Sequence, residues 1–358
     1  MAHRPVSDGG KKGGRGTQGH SGPLVLDGFA LAAARAPDLA ARGKRAAASL
    51  GRRPRLVLVA FADGTGSAPF VARKMRACAA AGVDVLPLTL PLGASTSLAV
   101  GKLGACLAGE RPDAVFLEFP FPDRVDGDAL TALVPASTDV DIMTADGVER
   151  FFADPDAPPP LTVSAGLALL DGHAVDIRGR PGVVVGDDTP FTQMFREALA
   201  RRGARMLPVV SSRSPDMLRA VQETELVVAA ASVPEVMSST ALSPGTVLID
   251  VGYFNAGGRG DVDTSGGIAH LAAIAPVPGG IGPMTVSMLV ERVIAFAERT
   301  ARESRLGWAA GYRRAHPPQY APDTRVFSSP ASRMTALGAH GPRRRPNRGQ
   351  VRGPAESP

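Results

Sequence analysis

The residues of this 358-residue chain best suited to chemistry are a few polar or backbone-exposing positions set between apolar runs. Residues 276–285 read Pro-Val-Pro-Gly-Gly-Ile-Gly-Pro-Met-Thr. Prolines fix φ there, glycines permit positive φ and close backbone approach, and the apolar-periodic helix that follows offers free N–H groups at its start. Such a loop is either a tight strand-to-helix connection or a place where a ligand presses on main chain. Phe70 and Lys74 stand four apart, on one face of a helix. A lone helical lysine is ordinarily a solvated charge, but an amine held near neutrality can relay protons. Residues 182–186, Gly-Val-Val-Val-Gly, run as a strand into a turn and then a helix, the mononucleotide-binding topology in which ligand sits at the carboxyl ends of strands.

These groups need a scaffold, and strand and helix signals alternate from residue 24 onward. The alternation predicts an α/β protein with mainly parallel sheets. A first layer has strands at 55–61, 83–86 and 114–119 and helices at 69–81 and 97–108, with Gly82 and Gly109 as stops. The proline-rich stretch 154–160 is a stiff spacer. Beyond it, strands are expected at 182–186, 205–210, 226–230 and 247–251, with 274–277 as a last edge, and helices at 162–170, 191–202 and 215–222. The fold class is therefore a two-domain α/β protein: an N-terminal α/β layer, a C-terminal Rossmann-like parallel sheet, and a cleft between them. The expected division is 23–150, completed by a returning helix at 284–305, and 151–283. Residues 1–22 and 306–358, rich in Gly, Ser, Pro and Arg, read as disordered tails.

Several segments resemble, in the right order, the bifunctional methylenetetrahydrofolate dehydrogenase/cyclohydrolases. The 276–285 loop is close to that family's signature, and Leu248-Ile-Asp250-Val-Gly252 and Gly260-Asp261-Val262 resemble its Val-Ile-Asp-Val-Gly and Gly-Asp-Val motifs. Ser67 and Lys74 match the family's Ser and Lys, whereas Phe70 stands in place of a tyrosine. Glu118, in Leu-Glu-Phe-Pro-Phe-Pro, replaces a glutamine, and Asp141, in Thr-Asp-Val-Asp, matches an aspartate that contacts the pterin. Thr162 falls on the family's threonine. The resemblance implies oxidation of methylenetetrahydrofolate with NADP or NAD, then hydrolysis of the methenyl product. Lys74, Glu118 and Asp141 would be catalytic, and Phe70, Pro278, Gly279, Gly280 and Pro283 would hold the tetrahydrofolate derivative. A carboxylate beside Lys74 favours the ammonium form and weakens the lysine as a base.

The nucleotide loop departs most from the pattern. Gly186, Asp187, Asp188 and Thr189 stand where the family has Gly-Arg-Ser-x, and Thr192 replaces a glycine. The resemblance implies NADP, yet an aspartate in place of that arginine repels a 2′-phosphate and suits the free ribose hydroxyl of NAD. Thr192 is expected to crowd the helix start where the pyrophosphate approaches. Ser211 and Arg213 follow the next strand and could compensate, and Gly252 completes the expected cofactor set. The alternative to an active enzyme is a catalytically impaired folate- or nucleotide-binding paralogue.

Composition bounds the remaining possibilities. The net charge is +6, but Arg4, Lys11, Lys12 and Arg15 and the arginines beyond residue 306, including 343–345, carry it and leave the body mildly acidic. Nucleic acid is therefore an unlikely partner, at most a weak polyanion contact of the tail. Cys78 and Cys106 read as buried free thiols, the six histidines are scattered, and no metal site is expected. No eighteen-residue apolar run or secretory hydrophobic core is present, so a cytoplasmic protein without membrane contact is expected. By family resemblance it would be a homodimer.

Overall fold

The computed structural model describes residues 22–62, 68–254 and 258–315. Ser67, the Arg343–Arg345 run and most of the tails expected at 1–22 and 306–358 lie outside the described residues. Chain order is β1 (Leu24–Val25), α1 (Gly28–Leu50), β2 (Arg55–Phe61), α2 (Ala68–Ala80), β3 (Asp84–Leu90), α3 (Thr96–Glu110), β4 (Ala114–Leu117), α4 (Gly127–Thr131) and α5 (Ala145–Ala153). There follow α6 (Leu161–Gly172), β5 (Pro181–Val185), α7 (Pro190–Arg201), β6 (Arg205–Met206), α8 (Met217–Gln222), β7 (Leu226–Ala229), β8 (Met237–Ser238), β9 (Val247–Asp250), β10 (Val262–Asp263), β11 (Ala273–Ala275) and α9 (Ile281–Ala315).

Two parallel sheets carry the architecture. The smaller has the order β3-β2-β4, and the larger β1-β11-β9-β7-β5-β6. Strict alternation decides which side chains meet: Leu56, Leu58 and Ala60 point to one face of the small sheet while Val57, Val59 and Phe61 point to the other. In the large sheet Val184, Val228 and Ile249 face one way, and Val183, Val185, Val227 and Leu248 the other. The inner faces of both sheets share one continuous core with α1, α6 and α9, through Leu39, Leu161, Leu169, Leu289 and Val293. Outer cores complete each sheet: Met217, Val221 and Leu242 under the larger, Leu103, Leu130 and Val134 under the smaller.

Three expectations are corrected. The segment at 274–277 is not an edge, because Leu24 and Val25 pair outside it in register with Ala273 and Ile274. The first strand thus joins the larger sheet although its chain neighbours build the smaller one. The strand expected at 205–210 is regular only at Arg205–Met206, with an isolated bridge from Val185 to Val210. The helix expected at 284–305 starts at Ile281 and continues to Ala315, into a stretch read as disordered. Alanines at 309, 310 and 315 favour helix, and no proline interrupts before Pro317.

The last helix returns along the first. Arg35 pairs with Glu291 at 2.6 Å, and Arg42 bridges Glu291 and Glu298 at 3.2 and 3.1 Å. These half-exposed pairs set register more than stability. Arg299 reaches the carbonyl of Ser137. Among the described residues, no helix is long and apolar enough to cross a membrane.

Candidate active site

A cleft of about 260 Å³ opens where α2 faces the loop before α9. The seat of that loop is set by Gly28. The N–H of Gly28 donates to the Gly279 carbonyl at 2.8 Å, and a β-carbon at 28 would lie 1.9 Å from the Gly280 carbonyl oxygen. The loop can therefore lie directly on the start of α1 only because position 28 has no side chain. Gly279 itself has φ +116, a conformation other residues resist, and turns the chain into α9. The loop closes on itself through Gly280 N–H to Pro276 carbonyl, 2.8 Å.

Lys74 enters the cleft from α2 yet is only 6% exposed. Its Nζ donates to Glu118 Oε2 at 2.5 Å and lies 4.6 Å from the centre of the Phe116 ring. A buried ammonium needs a counter-charge, and β4 ends just where Glu118 can supply it. Glu118 does not border the cleft; it stands behind the lysine and acts on it.

Asp141 lies deeper, against a small void shared with Asp139, Met143 and Thr144. Its Oδ1 accepts from the Leu161 N–H at 2.9 Å. Burial pushes its carboxyl up to about 6, against the pull of that N–H, of Arg292 and of Lys74. Arg292, on α9, donates to the carbonyls of Val140 (2.8 Å) and Pro159 (2.9 Å) and to Ser164 Oγ (2.9 Å). One side chain thus ties α9 to the loop bearing Asp141 and to the spacer before α6. Desolvation holds its guanidinium below the usual arginine range, opposed by Asp141 and Asp139.

Of the expected folate set, Lys74, Phe70, Pro278, Gly279 and Pro283 line the cleft, as does Thr162. Gly280 is buried beneath the loop and borders no space there. The cleft lining also includes Phe29, Arg73, Phe191 and Tyr253.

A second pocket of about 170 Å³ adjoins the first, since Phe191, Val251 and Gly252 line both. Asp187, Thr189 and Gly252, of the expected cofactor residues, border it. Gly186 lies beneath: a β-carbon there would sit 2.4 Å from the Ala230 carbonyl oxygen. Asp188 turns away to accept from Gln193 Nε2 at 2.7 Å, and Arg213 is exposed elsewhere, its N–H bonded to Ser211 Oγ at 3.3 Å. Neither Ser211 nor Arg213 borders the pocket.

Thr192 lines this pocket too, beside the helix start it was expected to crowd. It is 2% exposed, and its hydroxyl donates toward the Asp187 carbonyl at 2.7 Å while accepting from the Thr189 N–H at 3.0 Å. Thr189 Oγ1 accepts from the Thr192 N–H at 3.3 Å, which completes a capping box around Pro190. Two main-chain donors of the helix start are thereby used internally, and Pro190 has none. A second set of donors is also taken, since Asp261 accepts from the N–H groups of Ala231 (2.7 Å) and Val233 (3.0 Å). Among the described residues the pocket's lining includes two carboxylates, Asp187 and Asp261, and no lysine, arginine or histidine. Acceptors for ribose hydroxyls are present, and a built cradle for an extra phosphate is not.

Asp250 lines the cleft just before the Val251-Gly252 wall shared with the second pocket. It is 3% exposed and accepts from the N–H groups of Gly252 (3.0 Å), Asp261 (3.0 Å) and Val262 (3.1 Å). Burial pushes its carboxyl up to about 7, against those donors, with Asp261 adding to the rise. Cys78, one turn beyond Lys74, is fully enclosed and burial pushes its thiol up to about 12, so it is inert. Cys106, expected buried, is only half-buried on α3.

Sequence reasoning passed over Phe29, Tyr253 and Arg292. Arg292 carried a signal, a charge between Val290 and Val293 on an apolar helix. Tyr253 follows the Asp250-Val-Gly motif directly, in a chain with only three tyrosines. Phe29 lies on a helix that the alternation did not mark.

These features define an α/β protein whose second sheet is a Rossmann-like dinucleotide-binding unit beside a cleft with a buried lysine–carboxylate pair. A family model described as the tetrahydrofolate dehydrogenase/cyclohydrolase NAD(P)-binding domain matches residues 160–301. The chain is 32% identical over 280 residues to the bifunctional protein FolD of Synechococcus sp. (strain WH7803), covering 77% of this chain and 95% of the relative. It is likewise 32% identical over 282 residues to FolD 2 of Frankia alni, covering 78% and 97%. The Trypanosoma brucei methylenetetrahydrofolate dehydrogenase-cyclohydrolase, solved with NADP and an inhibitor, superimposes with a TM-score of 0.73 at 27% identity, over 78% of this chain and 99% of that one. The chain belongs to the FolD family of bifunctional methylenetetrahydrofolate dehydrogenase/cyclohydrolases.

Proposed function

We propose that this protein oxidises 5,10-methylenetetrahydrofolate to the 5,10-methenyl form with a nicotinamide dinucleotide and hydrolyses that product to 10-formyltetrahydrofolate. The observation that carries the reading is the pair of adjoining spaces. A cleft holding Lys74 under the 276–283 loop shares Phe191, Val251 and Gly252 with the pocket at the ends of β5 and β7. A hydride donor and acceptor must be brought to contact, and a shared wall of main chain and one aromatic ring permits it.

The pteridine occupies the cleft, flanked by Phe70, Pro278, Gly279 and Pro283, with Asp141 behind as acceptor for its amino edge. The dinucleotide would supply the hydride acceptor when bound, and of the residues that line its pocket Asp187 would bond a ribose hydroxyl and Gly252 would hold the end nearest the cleft. In hydrolysis, water adds to the methenyl carbon and loses a proton, and the carbon–nitrogen bond then breaks as the departing nitrogen gains a proton and the new hydroxyl gives one up to become the formyl carbonyl. Lys74 serves these transfers from the cleft wall, and Glu118 holds its charge and direction. The coenzyme is NAD in preference to NADP, because a 2′-phosphate would meet Asp187 with no cation among the described residues of the pocket wall. Work in the cytoplasm and assembly as a homodimer belong to the same proposal, supported by the free thiols and by family resemblance.

The test is a coupled absorbance assay on the full chain with methylenetetrahydrofolate and either coenzyme, followed by decay of added methenyltetrahydrofolate. Reduced coenzyme forming faster with NAD, and methenyl decay lost in Lys74→Met, are expected. Tetrahydrofolate binding with no turnover by either coenzyme would replace this reading with the impaired paralogue.

A further inference from the structure

Tyr253 is the one phenol among the described residues lining the cleft. It leaves a segment fixed on both sides. The Val251 N–H donates to the Ala229 carbonyl at 2.9 Å, Gly252 N–H to Asp250 at 3.0 Å, and Phe254 N–H to the Arg259 carbonyl at 2.9 Å. From this base the side chain stays 44% exposed and meets Phe70 of α2 edge to face, with ring centres 4.9 Å apart and planes at 89°. Its hydroxyl has no hydrogen-bond partner among the described residues. A tyrosine kept for packing buries its ring or pairs its hydroxyl; this one does neither, on main chain that is firmly held.

We propose that Tyr253 is a substrate-contacting residue that helps set affinity for the reduced folate. With Phe70 it makes a right-angled aromatic corner, in which a flat heterocycle or aminobenzoyl ring meets one ring face-on and the other edge-on. The phenolic hydroxyl, projecting from the large-sheet side of the cleft, bonds a polar group of the same molecule. Because the corner is built half from α2 and half from the β9 loop, it registers a planar ligand against both walls at once. This assignment rests on the folate reading above and deepens it.

The experiment is titration of the full chain with tetrahydrofolate by calorimetry, for wild type, Tyr253→Phe, Tyr253→Ala and Phe70→Ala. Losing one net hydrogen bond weakens binding about three- to tenfold in Tyr253→Phe. Losing the ring as well weakens it roughly another three- to tenfold in Tyr253→Ala, and Phe70→Ala reproduces only this second part. Urea midpoints within error of wild type are expected for both Tyr253 variants. Unchanged affinity in both overturns the assignment, and so does a loss matched by a lowered midpoint, which marks a packing role. Absence of tetrahydrofolate binding by the wild type is a different failure: it removes the folate reading itself, and this assignment with it.

Discussion

Replacing Glu118 by glutamine removes one charge from a nearly dry ion pair and leaves the shape of the side chain almost unchanged. The partners are 2.5 Å apart, with side chains 8% and 10% exposed. At an effective dielectric of about 20 their gross attraction is about 7 kcal/mol, most of which offsets the cost of bringing both ions out of water. Removing one partner exposes that cost, typically about 3–5 kcal/mol. The glutamine carbonyl still accepts one bond from Lys74, and the Phe116 ring still lies 4.6 Å from Nζ. The expected loss is therefore near the lower end, about 3 kcal/mol. The double variant Lys74→Met/Glu118→Leu, which removes both charges, is expected within about 1 kcal/mol of wild type or above it. Urea unfolding of the three proteins at pH 7, extrapolated linearly, measures both values. If Glu118→Gln alone lies within about 0.5 kcal/mol of wild type, the pair is not a buried ion pair and the account of the site fails at its centre.

Other outcomes follow from the same geometry. Asp187→Arg is expected to shift the ratio of kcat/KM values toward NADP by about tenfold or more, a modest effect because exposed charge is screened; an unchanged ratio would remove Asp187 from coenzyme choice. The native Asp141 carboxyl keeps its proton to about pH 6, whereas an unfolded aspartate ionises near pH 4. Its contribution is thus fully present below about pH 4 and lost as the pH rises through 6. Asp141→Asn should gain about 2–3 kcal/mol relative to wild type between pH 4 and pH 8 in urea unfolding, while weakening tetrahydrofolate binding. Gly28→Ala places a β-carbon 1.9 Å from the Gly280 carbonyl oxygen, so a stability loss of about 3 kcal/mol or more is expected in thermal or urea unfolding, with folate affinity falling alongside.

Much of the scaffold could be read because its strands are short apolar runs bounded by breakers, as at 55–61 and 226–229. Strand β3 was expected over 83–86, short of Pro87. It runs on to Leu90 as an edge strand that pairs only with β2, where Pro87 sits opposite Leu58 and the missing donor faces outward. Helix α1 gave little signal, since alanine and arginine dominate it and Pro37 lies inside. At the site, Lys74 and the 276–285 loop were legible as motifs. The roles of Glu118 behind the lysine, of Thr192 as a cap and of Arg292 as a tie were not, because each depends on a partner far away in sequence. Local spacing cannot state that the Arg292 guanidinium ends on carbonyls 152 and 133 residues earlier.

The path of the chain between the two sheets limits how this protein could be divided. The first strand belongs to the sheet built last, and the final helix seals the layer built first, so a cut in the 154–160 spacer gives no self-sufficient halves. Each fragment would carry a strip of exposed hydrocarbon that only its counterpart can cover. Neither piece is a ready-made module, because the buried face of each is completed by an element from the far side of the spacer.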